Sequence, residues 1–182
     1  MLLLLRRIGY IRNYITNGAT KTLVQGLVLS RIDYCNSLLS GLPVYLIKKL
    51  QRVQNTGARL VVRCRRSERI TPILLSLKWL SVDLRIDYKI LTLVYKSIQG
   101  SCPPYIQDLV VEYTPARRLR SSTTGRLVVT RLYSVRYGGR RFDCAAAQLW
   151  NTLPLGVRQS ATIASFKMSL KSHLLSVMEK RQ

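Results

Sequence analysis

Residues 43–66 read PVYLIKKLQRVQNTGARLVVRCRR. Leu46, Ile47, Leu50, Val53, Gly57, Leu60 and Val61 recur there at three- and four-residue steps, the spacing of a helix with one buried stripe. At about 100° per residue, Lys48, Arg52, Arg59 and Arg63 fall within roughly 60° of one another on the opposite face. That basic face runs on into Arg65, Arg66 and Arg69. A charged helix face is usually just a solvated one. No acid occurs between Asn36 and Ser67, however, so nothing local pairs these cations. The pattern favours phosphate contact.

The rest of the chain has the same bias. Its 182 residues carry 30 Lys+Arg against 8 Asp+Glu, a net charge of +22. Such an excess repels itself in a compact fold unless a polyanion neutralises it. Arginine supplies 21 of the cations, which suits bidentate phosphate contacts better than it suits simple solubility. Hydrophobic residues make up 47%, enough for one sizeable core or two smaller ones. The opening MLLLLRRIGYIRNYI has too short an apolar run for a signal peptide, and its arginines follow the leucines. No run approaches the length of a membrane span. Cys35, Cys64, Cys102 and Cys144 lie at least 29 residues apart, and only one histidine is present, so a zinc site is not expected. Reduced, mostly buried thiols in an intracellular protein are expected instead.

Working outward, residues 5–14 read as a short basic-apolar helix, with Thr16 or Asn17 to cap the next one. In 19–39, Leu23, Leu27, Val28, Cys35, Leu38 and Leu39 share a face at helical period. Gly41-Leu42-Pro43 breaks the chain before the central helix. Residues 82–98 form another amphipathic helix, with Leu84, Tyr88, Leu91, Val94 and Ile98 inward and Arg85, Lys89 and Lys96 in a second, weaker basic stripe. Gly100 and Cys102-Pro103-Pro104 end it, and a short helix is expected over Tyr105–Val111.

From Tyr113 the texture changes. YTPARRLRSSTTG has little periodicity and reads as an exposed basic linker, with Arg117, Arg118 and Arg120 able to fold on binding. The β-rich Arg126–Tyr133, followed by Tyr137-Gly138-Gly139, predicts a short hairpin. Helices are predicted over Asp143–Leu153, closed by Pro154, and over Ile163–Met178, with Phe166, Leu170, Leu174 and Val177 inward. The fold class expected is mainly α, a multi-helix bundle with a short β-hairpin in the C-terminal third.

One tetrapeptide occurs twice, as Arg31-Ile32-Asp33-Tyr34 and as Arg85-Ile86-Asp87-Tyr88. On the wheel for 19–39, Arg31 falls in the apolar face and Asp33 points away. On the wheel for 82–98 the assignment reverses, with Asp87 inside and Arg85 outside. A charge set into an apolar face needs a partner, since stranding one costs several kcal/mol. An ion pair between Arg31 and Asp87 is therefore expected. The flanks of the two copies do not match, so no duplication follows.

Catalytic constellations are mostly absent. His173, the single histidine, sits beside Leu170 and Leu174 and reads as a core-edge residue. There is no phosphate-cradling or dinucleotide-binding glycine motif and no nucleophile elbow. The acids are scattered, whereas two-metal phosphoryl transfer needs them clustered. No catalytic residue, metal or cofactor is assigned. Ten tyrosines and two tryptophans could stack on bases, although Trp79 and Trp150 read better as helix-end anchors in the core.

SRIDYCNSLLSGLP, LQRVQNTGARLVVR, ITPILLSLKWLSVDLRIDYKILTLVYKSIQG, CPPYIQDLV, RRLRSS, AAAQLWNTLP and ASFKMSLKSHL follow one another in this order. As a set they resemble the carboxyl-terminal region of reverse transcriptases of LINE-like, jockey-type non-LTR retrotransposons, from about Arg6 to Leu175. The resemblance implies a thumb and the segment beyond it, contacting template RNA, target DNA or an RNA–DNA hybrid. It carries over no polymerase activity, because the family's catalytic palm bears adjacent aspartates and this sequence has none. It implies a helical thumb-like domain over 1–112, a basic linker over 113–125 and a small α+β module over 126–182. A nucleic-acid-binding fragment, nuclear and cytoplasmic as ribonucleoprotein, is the function expected. The fingers and palm of a parent polymerase are possible partners; a small-molecule substrate and a membrane are not expected. Two other readings stay open: a structural remnant of a polymerase, marked by exposed apolar surface near the N-terminus, and a basic amphipathic membrane-surface protein.

Overall fold

The structure is a computed structural model, and it describes residues 1–114, 125–130 and 141–181. The described residues are mainly helical. They fall into two compact units, Met1–Ile86 with Leu174–Gln182, and Asp87–His173. Most of the expected linker at 113–125 lies outside the described residues. Two long helices, Val82–Ile98 and Ile163–Lys180, contribute residues to both units.

In the first unit, α1 (Leu2–Ile11) buries Leu5 and Ile8. Thr16 caps α2 (Asn17–Val24), its hydroxyl accepting from the Ala19 amide at 3.2 Å. The helix expected over 19–39 does not run straight through. A π-helical turn, Gln25–Leu29, follows α2, then α3 (Ser30–Asp33), and a 3-10 turn covers Asn36–Leu39. A π turn places an extra residue in the helix, which rotates everything beyond it by about one residue's share of the wheel. The buried series is accordingly Val24, Val28, Leu29 and Ile32, while Leu27 and Leu38 are exposed. Arg31, assigned to the apolar face, is exposed for the same reason.

α4 (Val44–Val62) takes the predicted form, with Gly57, Ala58 and Val61 buried. Gly57 marks a close crossing. A Cβ there would lie 2.8 Å from Val24 Cγ1 and 3.5 Å from Leu5 Cδ2, so α1, α2 and α4 meet where only a hydrogen fits. α4 also carries a buried polar ladder. Gln54, fully buried, donates to the Leu80 carbonyl at 2.7 Å. Gln51 accepts from the Val82 amide at 2.7 Å, capping an orphan donor at the start of α6 (Val82–Ile98). Between them lies α5 (Ile70–Ser76), an unforeseen helix that buries Ile73 and Leu74.

The repeated tetrapeptides do meet, through the other two charges. Arg85 Nε donates to Asp33 Oδ1 at 2.8 Å, and Arg85 Nη2 bonds Asp33 Oδ2. Asn36, buried one turn on, donates to the Arg85 carbonyl at 3.4 Å. Arg31 makes no ion pair among the described residues. The expected Arg31–Asp87 pair is therefore replaced by Asp33–Arg85, because the π turn carries Arg31 outward.

The second unit contains the rest of α6, the short α7 (Pro104–Gln107), α8 (Phe142–Thr152), α9 (Leu155–Arg158) and the first part of α10 (Ile163–Lys180). Tyr95 stacks on Phe166 with ring centroids 4.3 Å apart, and Trp150 tilts against the same ring at 5.8 Å. Phe166 and Leu170 are fully buried. No strand occurs among the described residues, so the hairpin is not supported; its expected turn lies within 131–140, outside them. A single antiparallel bridge joins Glu112 to Leu127. Asn151 accepts from the Leu127 amide and donates to its carbonyl, both at 2.9 Å, so a side chain takes up the backbone groups of that residue. Trp150 Nε1 also donates to the Gly125 carbonyl at 2.8 Å, so AAAQLWN holds 125–127 by side chains.

Candidate nucleic-acid interface

α4 positions the basic residues, and its two halves treat them differently. Lys48 and Arg52 are exposed on the first three turns, and Arg65 and Arg66 are exposed just beyond its end. None of these four makes an ion pair among the described residues. Exposed tyrosines lie in the same unit: Tyr10, Tyr14, Tyr34 and Tyr45, with Lys49 Nζ 6.0 Å from the Tyr45 ring centre. Trp79 and Trp150 are core residues.

Arg59 and Arg63, expected on the same open face, turn to neighbouring backbone instead. Arg59 is half-buried and donates through Nη2 to the Glu68 carbonyl at 3.1 Å; its Nε is buried without a partner among the described residues. Arg63 ends α4 in a left-handed conformation (φ 59°), and its Nη2 donates to the Arg12 carbonyl at 2.8 Å. Arg12 returns the contact. Its guanidinium donates through Nε to the Leu60 carbonyl at 2.8 Å, through Nη2 to the Val61 carbonyl at 2.9 Å, and through Nη1 to the Ile15 carbonyl at 3.0 Å; Nη2 also bonds Asn17 Oδ1. The two helix C-termini are thus capped reciprocally, each by an arginine from the other, where orphan carbonyls and the negative dipole end favour a cation. Arg12 is only 5% exposed. Burial, and then the like charge of Arg63, push its guanidinium below its ordinary pKa.

Beside this junction lies a cleft of about 530 Å³. Its lining combines Arg6, Arg12, Arg59 and Arg63 with Leu2, Leu5 and Leu60, and Thr56 and Cys64 complete it. Arg12 went unassigned in the sequence because its setting depends on carbonyls some fifty residues away, and Arg6 because only folding brings it to this cleft. Arg85, placed in the second basic stripe, is engaged by Asp33. Lys89 is exposed and Lys96 half-buried. Arg117, Arg118 and Arg120 lie outside the described residues. In the second unit Arg158 donates through Nε to the Leu153 carbonyl at 3.2 Å, and burial followed by the Arg126 charge lowers its pKa.

Other chemistry finds little support in the geometry. Among the described residues no three potential ligands gather for a metal. Cys144 is the one buried thiol; Cys64 and Cys102 are half-buried and Cys35 exposed, against the expectation of mostly buried cysteines. His173 is half-buried on α10. No described helix is long and apolar enough to cross a membrane. No family model, curated protein or solved structure matches the chain.

Proposed function

We propose that the chain is a nucleic-acid-binding fragment of thumb type, similar to the carboxyl-terminal part of a non-LTR retrotransposon reverse transcriptase, that grips an RNA–DNA duplex through its phosphates. It contributes grip and not polymerase chemistry. The observation that carries this reading is the set Lys48, Arg52, Arg65 and Arg66, exposed on and just after one helix and without ion-pair partners among the described residues, in a chain of net charge +22. Lys89 and Lys96 are secondary contacts, and Arg117, Arg118 and Arg120 a third group. Sequence-independent affinity with a steep salt dependence follows from counterion release.

The test is binding of the purified chain to a labelled RNA–DNA hybrid across a salt series. Each phosphate-binding cation replaced by alanine should flatten the log–log slope by about one. Alanine variants that weaken binding with the slope intact sink the assignment of those residues.

A second reading has its own observation. α1 exposes Leu2 (62%) and Leu3 (75%), and Tyr14 just beyond it is 88% exposed. Apolar surface of this kind is what a piece of a larger polymerase presents where its neighbour docked. Weak hybrid binding, together with concentration-dependent self-association abolished by Leu2→Ser and Leu3→Ser, would favour that remnant.

A further inference from the structure

We propose that the cleft between α1 and the end of α4 is a nucleotide site, which takes the phosphate of a nucleoside phosphate on Arg6, Arg59 and Arg63 and its planar base against Leu2 and Leu60. The site stands apart from the duplex-gripping face, which uses other residues. Charge sets the ligand's sign. Four guanidiniums line the cleft, and no carboxylate does. Two helix C-termini offset only about half a charge each, which leaves roughly three positive charges uncompensated. Arg12 spends its donors on neutral oxygens, so it fixes the walls and supplies field rather than direct contact. Arg59 lines the cleft and its buried Nε has no partner among the described residues, so the fold leaves this guanidinium incompletely engaged.

Size and lining set the rest of the ligand. The cleft, at about 530 Å³, exceeds what inorganic phosphate fills and lies within the usual range for small-ligand pockets. Its leucines suit a flat apolar group, beside Thr56 and Cys64. A phosphate joined to a flat base satisfies the arginines and the leucines at once. Such a group exists as a free mononucleotide or as the phosphorylated end of a strand.

The experiment is calorimetric titration of the full chain, at low salt, with ADP, adenosine, inorganic phosphate and dodecanoate. ADP is expected to bind at least about tenfold tighter than each of the other three. Arg6→Ala should weaken ADP by about tenfold with the thermal midpoint unchanged, since Arg6 is exposed and holds no structural bond, and Arg6→Lys should restore part of the loss. Arg52→Ala, outside the cleft, should leave ADP binding as it was. A 5′-phosphorylated oligonucleotide that displaces ADP better than its 5′-hydroxyl twin assigns the site to a strand end; equal displacement assigns it to the free nucleotide. No heat with ADP at about 1 mM overturns the proposal. So does equal loss from Arg6→Ala and Arg52→Ala, which would mean diffuse surface charge, or displacement of ADP by dodecanoate. Hybrid binding measured on the same Arg6→Ala protein keeps the two proposals separate, because that grip uses Lys48, Arg52, Arg65 and Arg66.

Discussion

The first and last turns of α4 carry the same kind of side chain on the same nominal face and meet different fates. Lys48 and Arg52 stand in solvent, whereas Arg59 and Arg63 bend toward carbonyl oxygens of neighbouring segments. What separates them is the company of a helix end. Arg63 meets the Arg12 carbonyl at the end of α1, which lacks a helical partner, and Arg59 meets the Glu68 carbonyl in the turn beyond α4. Arg59 and Arg63 each give a donor to backbone, whereas Lys48 and Arg52 keep all of theirs for a ligand. The comparison predicts opposite responses to substitution along one helix.

The largest effect belongs to Arg12. Removing its guanidinium strands the Leu60 and Val61 carbonyls and unlocks the α1–α4 junction. Arg12→Ala should cost about 2–5 kcal/mol, since each buried carbonyl left without its donor costs about 1–3 kcal/mol. Urea unfolding by circular dichroism checks it. A loss below about 1 kcal/mol would mean that the reciprocal caps are incidental.

Gly57→Ala comes next. The added methyl would sit 2.8 Å from Val24 Cγ1, on a packed helix rather than a flexible tip. About 1–3 kcal/mol of destabilisation is expected from such overpacking, although alanine is the better helix former. A stabilised variant would show that α2 moves aside, and that the C-terminal half of α4 is less tightly held than the close approach implies.

The Asp33–Arg85 pair tests a third boundary between recruited and free charge. Its side chains are 40% and 17% exposed, so a double-mutant cycle should give a coupling of about 1 kcal/mol. Arg31→Ala, the companion control, should change stability by less than about 0.5 kcal/mol. The reverse result would restore the register read from an unbroken wheel.

That register shows where sequence reading stopped. Periodicity sufficed for α4, α6 and α10, whose buried positions recur over four or more turns. It failed at Gln25–Leu29, because a π turn inserts one residue without any distinctive side chain to announce it. It missed α5 because Ile70–Ser76 is two turns long, with Pro72 and three β-branched residues, a composition that reads equally as an extended run. At Leu127, in the first expected strand, the backbone donor and acceptor go to Asn151, a side chain 24 residues downstream that no short-range pattern announces. Basic residues were legible as a class; which ones face carbonyls and which face solvent depends on helix ends brought together only by folding.

The smallest effect on stability should come with the clearest effect on binding. Lys48 and Arg52 touch no described acid and lie exposed on α4, so alanine at both should shift unfolding by less than about 0.5 kcal/mol. On an RNA–DNA hybrid the same double variant should flatten the salt slope by about two, one for each phosphate left without its cation. Arg63→Ala is the matched opposite. Its Nη2 is bound to the Arg12 carbonyl, so its removal should lower stability by about 1 kcal/mol and leave the hybrid slope within about half a unit of the parent. If Arg63→Ala flattened the slope as much as Arg52→Ala does, the two halves of α4 would belong to one continuous phosphate-binding face. The division between recruited and free cations would then hold only in the absence of nucleic acid, with the arginine caps exchanging backbone carbonyls for phosphate oxygens on binding.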